Sequence, residues 1–395
     1  LDRFKRINNA LGHPAGDQML KRVGRNVVAA VRASDSVFRY GSDEFVVILA
    51  DIRHPQQTKG IAEKLLNAIR APQHIAGHEL SVTASLGISV YPDDGFDAIS
   101  LIKKAETAMR NVKETGPDSY RFFIEEMNQR AWDQQSMETG IRLALARNEF
   151  VLHYQPKLDL RSGQVVGAEA LIRWHKPGHG MVFPSAFIAV AEDSGLIVPL
   201  SKWVLAEACR QSCAWRAAGL PPICMAVNMS AIDFRQADFV DGIEQILAQT
   251  GMEPALLELE ITESVLMQNI ESTVTSLQRI KALGVRLAID DFGTGYSSLS
   301  YLRRFPIDVL KIDQSFIRGL GSDSNDAALV SAIISLGRSL KLTIIAEGVE
   351  TAEQLDFLKA RHCEEGQGHY FSKAVEPEVF VRYVESLRPS LSTLS

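Results

Sequence analysis

The stretch that decides the fold lies between residues 223 and 347. It holds five short apolar runs: ICMAVN at 223–228, LLELE at 256–260, RLAIDD at 286–291, VLKID at 309–313 and TIIAE at 343–347. At or near the end of each stands a lone polar group: Asn228, Glu260, the pair Asp290 and Asp291, Lys311, and Glu347. Most of the runs are too short and too apolar for helices, and segments of helical periodicity separate them. They therefore read as strands of a parallel sheet buried on both faces. In α/β barrels a polar residue at the carboxyl end of a strand stands where the chemistry is done. Here those residues are mostly oxygen donors with one cation, the equipment of a metal-dependent enzyme.

Working outward, Phe150–Gln155 and Val165–Ile172 read as two earlier strands and a last one falls near Gly366–Phe371, making eight. Helices are expected at Lys202–Ala218, Asp238–Thr250, Ile270–Leu283, Ser298–Phe305, Ala327–Leu340, Thr351–Arg361 and Pro377–Leu387. That pattern predicts a (β/α)8 TIM-like barrel. Glu169 and Arg173 lie on its second strand. Glu169, Glu260, Asp290, Asp291 and Glu347 then bring five carboxylates, and Asn228 an amide, to one mouth. Such a set repels itself unless compensated. Divalent cations resolve the repulsion, and all-oxygen ligation suits Mg²⁺ or Mn²⁺ rather than zinc. Two ions about 3.5–4 Å apart can hold the attacking and leaving oxygens of a phosphoryl displacement. Lys311 is placed to orient a nucleophilic water or neutralise developing charge, and Arg173 to grip a phosphate through its fork of donors. After the paired aspartates, Phe292-Gly293-Thr294-Gly295-Tyr296-Ser297-Ser298 reads as a pliable loop that moves with metal or substrate, with Glu263 as its anchor.

Residues 1–123 read as a separate mixed α/β domain. Helices are expected at Pro14–Ala33, Gln57–Ile69 and Asp97–Lys113, and strands at Leu80–Tyr91 and Ser119–Phe123. Val37–Tyr40 and Phe45–Leu49 flank Gly41-Ser42, which predicts a hairpin closed by a two-residue type II′ turn. Residues 124–148 read as a helical linker, and 149–390 as the barrel.

At 395 residues the chain exceeds one typical domain. A net charge of −6 argues against a general nucleic-acid binder but leaves room for a small anionic ligand in a locally positive site. No apolar stretch approaches the roughly 20 residues that span a bilayer, and no signal peptide is visible. Four cysteines suit free thiols in a reducing compartment, so a cytoplasmic location is expected. Cys209 and Cys213 read as core packing rather than zinc ligands. The chain opens Leu1-Asp2-Arg3-Phe4 without an initiator Met, so we expect it to begin inside a domain, with any upstream sensor or membrane segment outside the sequence.

Taken together, Glu169-Ala170-Leu171 with Arg173, Asn228-Met229-Ser230, Glu260-Ile261-Thr262-Glu263, the 290–298 loop, Lys311-Ile312-Asp313, Glu347-Gly348-Val349-Glu350 and Gln367-Gly368 resemble an EAL domain, the cyclic di-GMP phosphodiesterase family. The resemblance covers residues 140–388. It implies Glu169, Asn228, Glu260 and Asp290 around one metal ion and Asp290, Asp291 and Glu347 around a second. It also implies Lys311 and Gln367 near the nucleophilic water, Glu263 holding the mobile loop, and Gln155, Arg173 and Asp313 on the substrate. The family opens one phosphodiester of the cyclic dinucleotide to give linear pGpG, and a homodimer through this domain is expected. His369 and Ala374 depart from the family's usual aromatic and proline.

Gly41-Ser42-Asp43-Glu44-Phe45 resembles the GGDEF motif of diguanylate cyclases, and Phe4–Asn9 and Gly12–Asp17 resemble that family's upstream elements. This implies a ferredoxin-like nucleotide-cyclase palm. Asn8 and Asp17 would read guanine. Asp43 would bind metal, Lys113 would touch phosphate, and Gly41, Ser42 and Glu44 would complete a GTP site. Arg32 and Asp35 sit where the family has its inhibitory product site. Ser42 in place of glycine, Pro117 in place of an arginine, and a leading metal aspartate outside the sequence point to a GTP-binding regulatory module. The alternatives are a bifunctional cyclase/phosphodiesterase, or a receptor that binds cyclic di-GMP without cleaving it.

Overall fold

The apolar runs form the eight strands of a closed barrel: Phe150–Asp159, Val165–Lys176, Cys224–Asn228, Leu257–Thr262, Arg286–Phe292, Val309–Ile312, Thr343–Ala346 and Glu365–Gly366. The structure is a computed structural model, and it describes the backbone of residues 1–52, 55–75, 77–266, 270–294, 304–320 and 324–387. It divides into two compact units, Leu1–Ser136 and Met137–Ser395.

In the barrel unit, strands two to eight run parallel, and the strands Val165–Lys176 and Cys224–Asn228 pair to close the ring. Phe150–Asp159 runs antiparallel to both neighbours, which corrects the all-parallel expectation. The cause is local. A turn with Gly163 at φ 72 joins it directly to the next strand, with no crossover helix between them. A short strand, Gly180–Val182, extends this hairpin beyond the ring. The last strand is only Glu365–Gly366, not the longer run expected to Phe371.

Helices Ile197–Ala217, Phe239–Thr250, Ile270–Ala282, Ser324–Leu340, Ala352–Ala360 and Pro377–Ser386 surround the ring. They bury Leu200, Ile243, Leu277, Val330, Leu358 and Phe380 against its outer face. Thr351 and Gln354 close a capping box that starts the Ala352 helix where the sequence placed it. The helix expected at Ser298–Phe305 lies largely outside the described residues. Cys209 is fully buried in the barrel core, as a packing residue.

In the first unit, helices Phe4–Leu11, His13–Ala30, Pro55–Arg70 and Ala98–Thr115 accompany three separate two-stranded sheets. Ser36–Arg39 pairs with Phe45–Ile48, Gln73–Ile75 with His78–Leu80, and Leu86–Ile88 runs parallel to Tyr120–Phe122. Two expectations are corrected. The hairpin loop spans Tyr40–Glu44, because Tyr40 N–H donates to the Glu44 carbonyl at 2.9 Å and Gly41 lacks the positive φ a type II′ turn demands. The expected strand Leu80–Tyr91 is broken as well. Thr83 bonds to Asp2 instead: its carbonyl accepts from Asp2 N–H at 2.8 Å, and its hydroxyl and that of Ser85 donate to the Asp2 carboxylate.

The helix Glu125–Arg147 covers most of the stretch 124–148. Met127 packs with Ala108 and Phe123 of the first unit, and Ile141 and Ala144 join the barrel core. Gly140 lets the helix pass close over Trp174, where a Cβ would come within 2.7 Å of the indole.

Candidate active site

Strand alternation sends Glu169, Glu258, Glu260, Asp290 and Lys311 into the barrel interior. At the centre, Lys311 is 0% exposed, and its Nζ lies 2.7 Å from Glu260 Oε2, 3.1 Å from Asp290 Oδ1 and 2.6 Å from Glu347 Oε1. Burial works against its charge, but Glu169, Glu260, Glu347 and Asp290 surround it and hold its pKa well above the ordinary lysine value. Lys311 therefore stands as a cation among the strand-end carboxylates.

Glu260 is 1% exposed and meets a second lysine that sequence reasoning missed. Lys157, 2% exposed on the reversed first strand, donates to Glu260 Oε1 at 2.6 Å and to Glu258 Oε1 at 2.8 Å. Against the penalty of burial, Lys157 and Lys311 hold the Glu260 carboxyl down at about 2. The signal was present: Glu258 shares the alternation parity of Glu260, and Lys157 interrupts a strand that is otherwise largely apolar.

A second cluster gathers around Glu169. Asn228 Nδ2 donates to Glu169 Oε1 at 2.6 Å, and Gln367 Nε2 donates to Glu169 Oε2 at 2.6 Å and to Gln155 Oε1 at 3.0 Å. Gln367 Oε1 is buried without a hydrogen-bond partner, an acceptor left open in the site. Burial, with help from Glu260 and Asp290, pushes the Glu169 carboxyl up.

The third cluster is the metal candidate. Asp290, Asp291 and Glu347 bring carboxylate oxygens within 4.8 Å of one another. An octahedral Mg²⁺ shell spans about 4 Å across, so a small contraction would close these oxygens on one ion. Burial and the neighbouring Asp290, Glu169 and Glu260 raise Glu347 to about 8. Burial, Asp290 and the hydrogen bond with Asp313 raise Asp291 to about 6. Carboxylates that resist ionisation together are a donor set awaiting positive charge, so the residues fit a divalent cation.

Asp291 holds φ 53, a left-handed conformation uncommon for a non-glycine residue. Glu263 Oε2 accepts from Gly293 N–H at 3.1 Å, and Gly293 itself sits at φ 100 with Phe316 filling the space a Cβ would need. Glu263 thus meets the start of the loop, whose residues 295–298 lie outside the described residues. Asp313 caps the helix Gln314–Arg318, accepting from Ser315 N–H and hydroxyl. Arg173 makes no ion pair among the described residues, and its guanidinium lies 5.3 Å from the Phe183 ring.

In the first unit, Ser42 Oγ donates to Asp43 Oδ1 at 2.9 Å, and Arg39 donates to the Gly41 and Ser42 carbonyls. Asn8 Oδ1 is buried without a partner, and a Cβ on Gly16 would lie 1.9 Å from it. Asp17, Glu44 and Lys113 make no hydrogen bond or ion pair through their side chains among the described residues. The Asp35 carboxylate accepts from Arg32 N–H at 2.9 Å and Ala50 N–H at 3.1 Å, so it joins its loop to the hairpin.

A closed barrel with acidic and amide side chains at its strand ends, around a buried lysine, makes the second unit a barrel with a candidate divalent-metal site. The chain belongs to the EAL domain family, whose model matches residues 139–374, and residues 1–119 match the diguanylate cyclase GGDEF domain. It is 44% identical over 378 residues to the bifunctional diguanylate cyclase/cyclic di-GMP phosphodiesterase MucR of Pseudomonas aeruginosa, covering 96% of this chain and 55% of that protein. It is 42% identical to the cyclic di-GMP phosphodiesterase NbdA of the same organism, covering 98% of this chain and 49% of that one. The chain thus spans about half the length of these relatives. Among solved structures, the MucR phosphodiesterase in complex with c-di-GMP superposes with a TM-score of 0.61 at 46% identity, covering 62% of this chain and 99% of that one.

Proposed function

We propose that the barrel hydrolyses cyclic di-GMP to linear pGpG with Mg²⁺ or Mn²⁺. The observation that carries this reading is the convergence of Asp290, Asp291 and Glu347 beside the buried ammonium of Lys311. Glu169, Asn228 and Glu260 would complete the ligation of two ions. When bound, a divalent cation supplies Lewis acidity toward the phosphate and a nucleophile at neutral pH. The chain's own residues do the rest. Gln367 Oε1 accepts a hydrogen bond from the attacking water. Lys311, held by Glu260, Asp290 and Glu347, places its positive charge beside the phosphate as the P–O3′ bond gives way to a bond from water oxygen and a water proton passes to the departing O3′. Arg173 grips the phosphate, with Gln155 and Asp313 on the substrate. Glu263 sets the loop that begins at Asp290 and Asp291.

The test is to incubate the protein with cyclic di-GMP and Mg²⁺ or Mn²⁺ and identify products by chromatography. We expect pGpG, lost in excess chelator and in Glu169→Gln. Full turnover under either condition would overturn the two-ion reading.

We propose further that the first unit binds GTP as a regulatory module. Its support is the open Asn8 oxygen over Gly16, and the Ser42 hydroxyl spent on Asp43 where a bare backbone would approach a nucleotide. Arg32 and Asp35 are retained as a product-site candidate. We place the chain in the cytoplasm, as a barrel-to-barrel homodimer whose contact is linked to the 290–298 loop. Among the described residues no helix is long and apolar enough to cross a membrane.

A further inference from the structure

The reversed first strand and its two partners build a wall on the face that carries Glu169. Residues directly opposite each other in an antiparallel pair share a face, as do alternate residues along a strand. The register pairs Gln155 with Glu169, His153 with Leu171, and Val151 with Arg173. On the far side Trp174 pairs with Val182, so the next position sets Phe183 opposite Arg173. The 5.3 Å from the Arg173 guanidinium to the Phe183 ring agrees with that placement. The wall therefore climbs from the carboxylates in rows, and its third row is Val151, Arg173 and Phe183. At about 3.3 Å per residue, that row stands about 13 Å along the strand from Glu169.

This row is chemically unusual. Phe183 is 58% exposed and Val151 38% exposed, and they flank Arg173, the cation of their row. Single exposed apolar residues are ordinary, but here an aromatic face, an aliphatic side chain and a guanidinium are aligned beside a site for a phosphodiester. A nucleotide presents the matching set, a flat base joined to a phosphate within a few bonds. Base–aromatic stacking is worth having in water because both faces are apolar and polarisable, and arginine adds to it.

We infer that Phe183 is the stacking platform for one guanine of the cyclic dinucleotide whose phosphate Arg173 holds, and that it sets substrate affinity without taking part in the chemistry. The inference rests on the cyclic di-GMP reading above. The experiment measures kcat and KM for cyclic di-GMP with Mn²⁺, and equilibrium binding of cyclic di-GMP by calorimetry without metal, in the wild type, Phe183→Ala and Phe183→Trp. Phe183→Ala should raise KM and Kd by about 5- to 150-fold, the loss of one base–aromatic stack, with kcat within about twofold. Phe183→Trp should match or better the wild type in both. Because the ring is mostly exposed, the thermal melts should coincide. An unchanged KM and Kd in Phe183→Ala, or a loss confined to kcat, would overturn the platform. Weakened binding in a protein whose wild type does not hydrolyse the ligand would keep the platform and sink the phosphodiesterase reading. A wild type that does not bind cyclic di-GMP at all would sink both.

Discussion

Two lysines organise the barrel interior, and removing each should fail in a different way. Lys311 is held by three carboxylates at the strand ends, so its charge serves the mouth of the site. Lys311→Met should lower kcat by about 10²–10³, the cost of one preorganised donor, while KM moves far less. Steady-state kinetics separate the two. Lys157 lies deeper and neutralises Glu258 and Glu260. Lys157→Met removes the ammonium shared by two buried carboxylates, leaving Glu260 to Lys311 and Glu258 to Arg286 at 3.5 Å, and should cost up to about 3–5 kcal/mol in urea unfolding. Adding Glu258→Leu should recover part of that loss; no recovery would show that Lys157 does not balance Glu258. At this scale the strand-end ligands were legible, because each ends its own run. Lys157 was not, because its partner Glu258 is 101 residues away along the chain.

At the scale of elements, the turn after Asn228 depends on Asp233. Its carboxylate is 2% exposed and accepts from Ser201 Oγ at 2.8 Å and Ser230 N–H at 3.0 Å. Burial raises it from 3.8 to about 6. The folded state thus holds a proton there that the unfolded chain has released. This contribution to stability is full below pH 3.8 and is lost as pH rises through about 6, worth roughly 3 kcal/mol. Asp233→Asn keeps an acceptor oxygen and cannot titrate. Its stability relative to wild type should rise between about pH 4 and pH 7, and parallel urea-melt curves would refute the assignment. Gly368 follows Gln367 and packs so closely against the backbone at Val349 that a Cβ would lie 2.1 Å from the Val349 carbonyl oxygen. That neighbour is backbone and cannot rotate away. Gly368→Ala should therefore displace Gln367, lowering the melting temperature and turnover together. Most of the longer helices were legible to within a few residues because their periodicity and caps are local, whereas the short helices Phe4–Leu11, Ile188–Asp193 and Gln314–Arg318 were not read. The hairpin loop was not, because Arg39 binds the carbonyls of Gly41 and Ser42 and favours the wider turn.

Across the whole molecule, the expected link is between nucleotide at the first unit and turnover at the barrel. Phosphodiesterase rate measured against GTP concentration should change severalfold, and Asp17→Ala should flatten the response. By linkage, cyclic di-GMP should shift GTP affinity by the same factor. Indifference to GTP in the wild type would remove the regulatory role. In a Glu169→Gln background, where hydrolysis cannot mask synthesis, GTP should give no cyclic di-GMP; robust product would make the protein bifunctional.

The sequence by itself determined the two-domain plan, the barrel and most of the candidate ligands. These are written in short-range signals: run length, alternation, caps and the polar residue that ends each strand. Only the tertiary structure decided that the first strand runs backward, that Lys157 clasps Glu260 from below, and that Phe183 stands beside Arg173. Strand direction follows from a turn that omits a helix. The clasp and the wall join residues far apart in the chain, whose meeting depends on register and on closing the ring, and no local pattern encodes either.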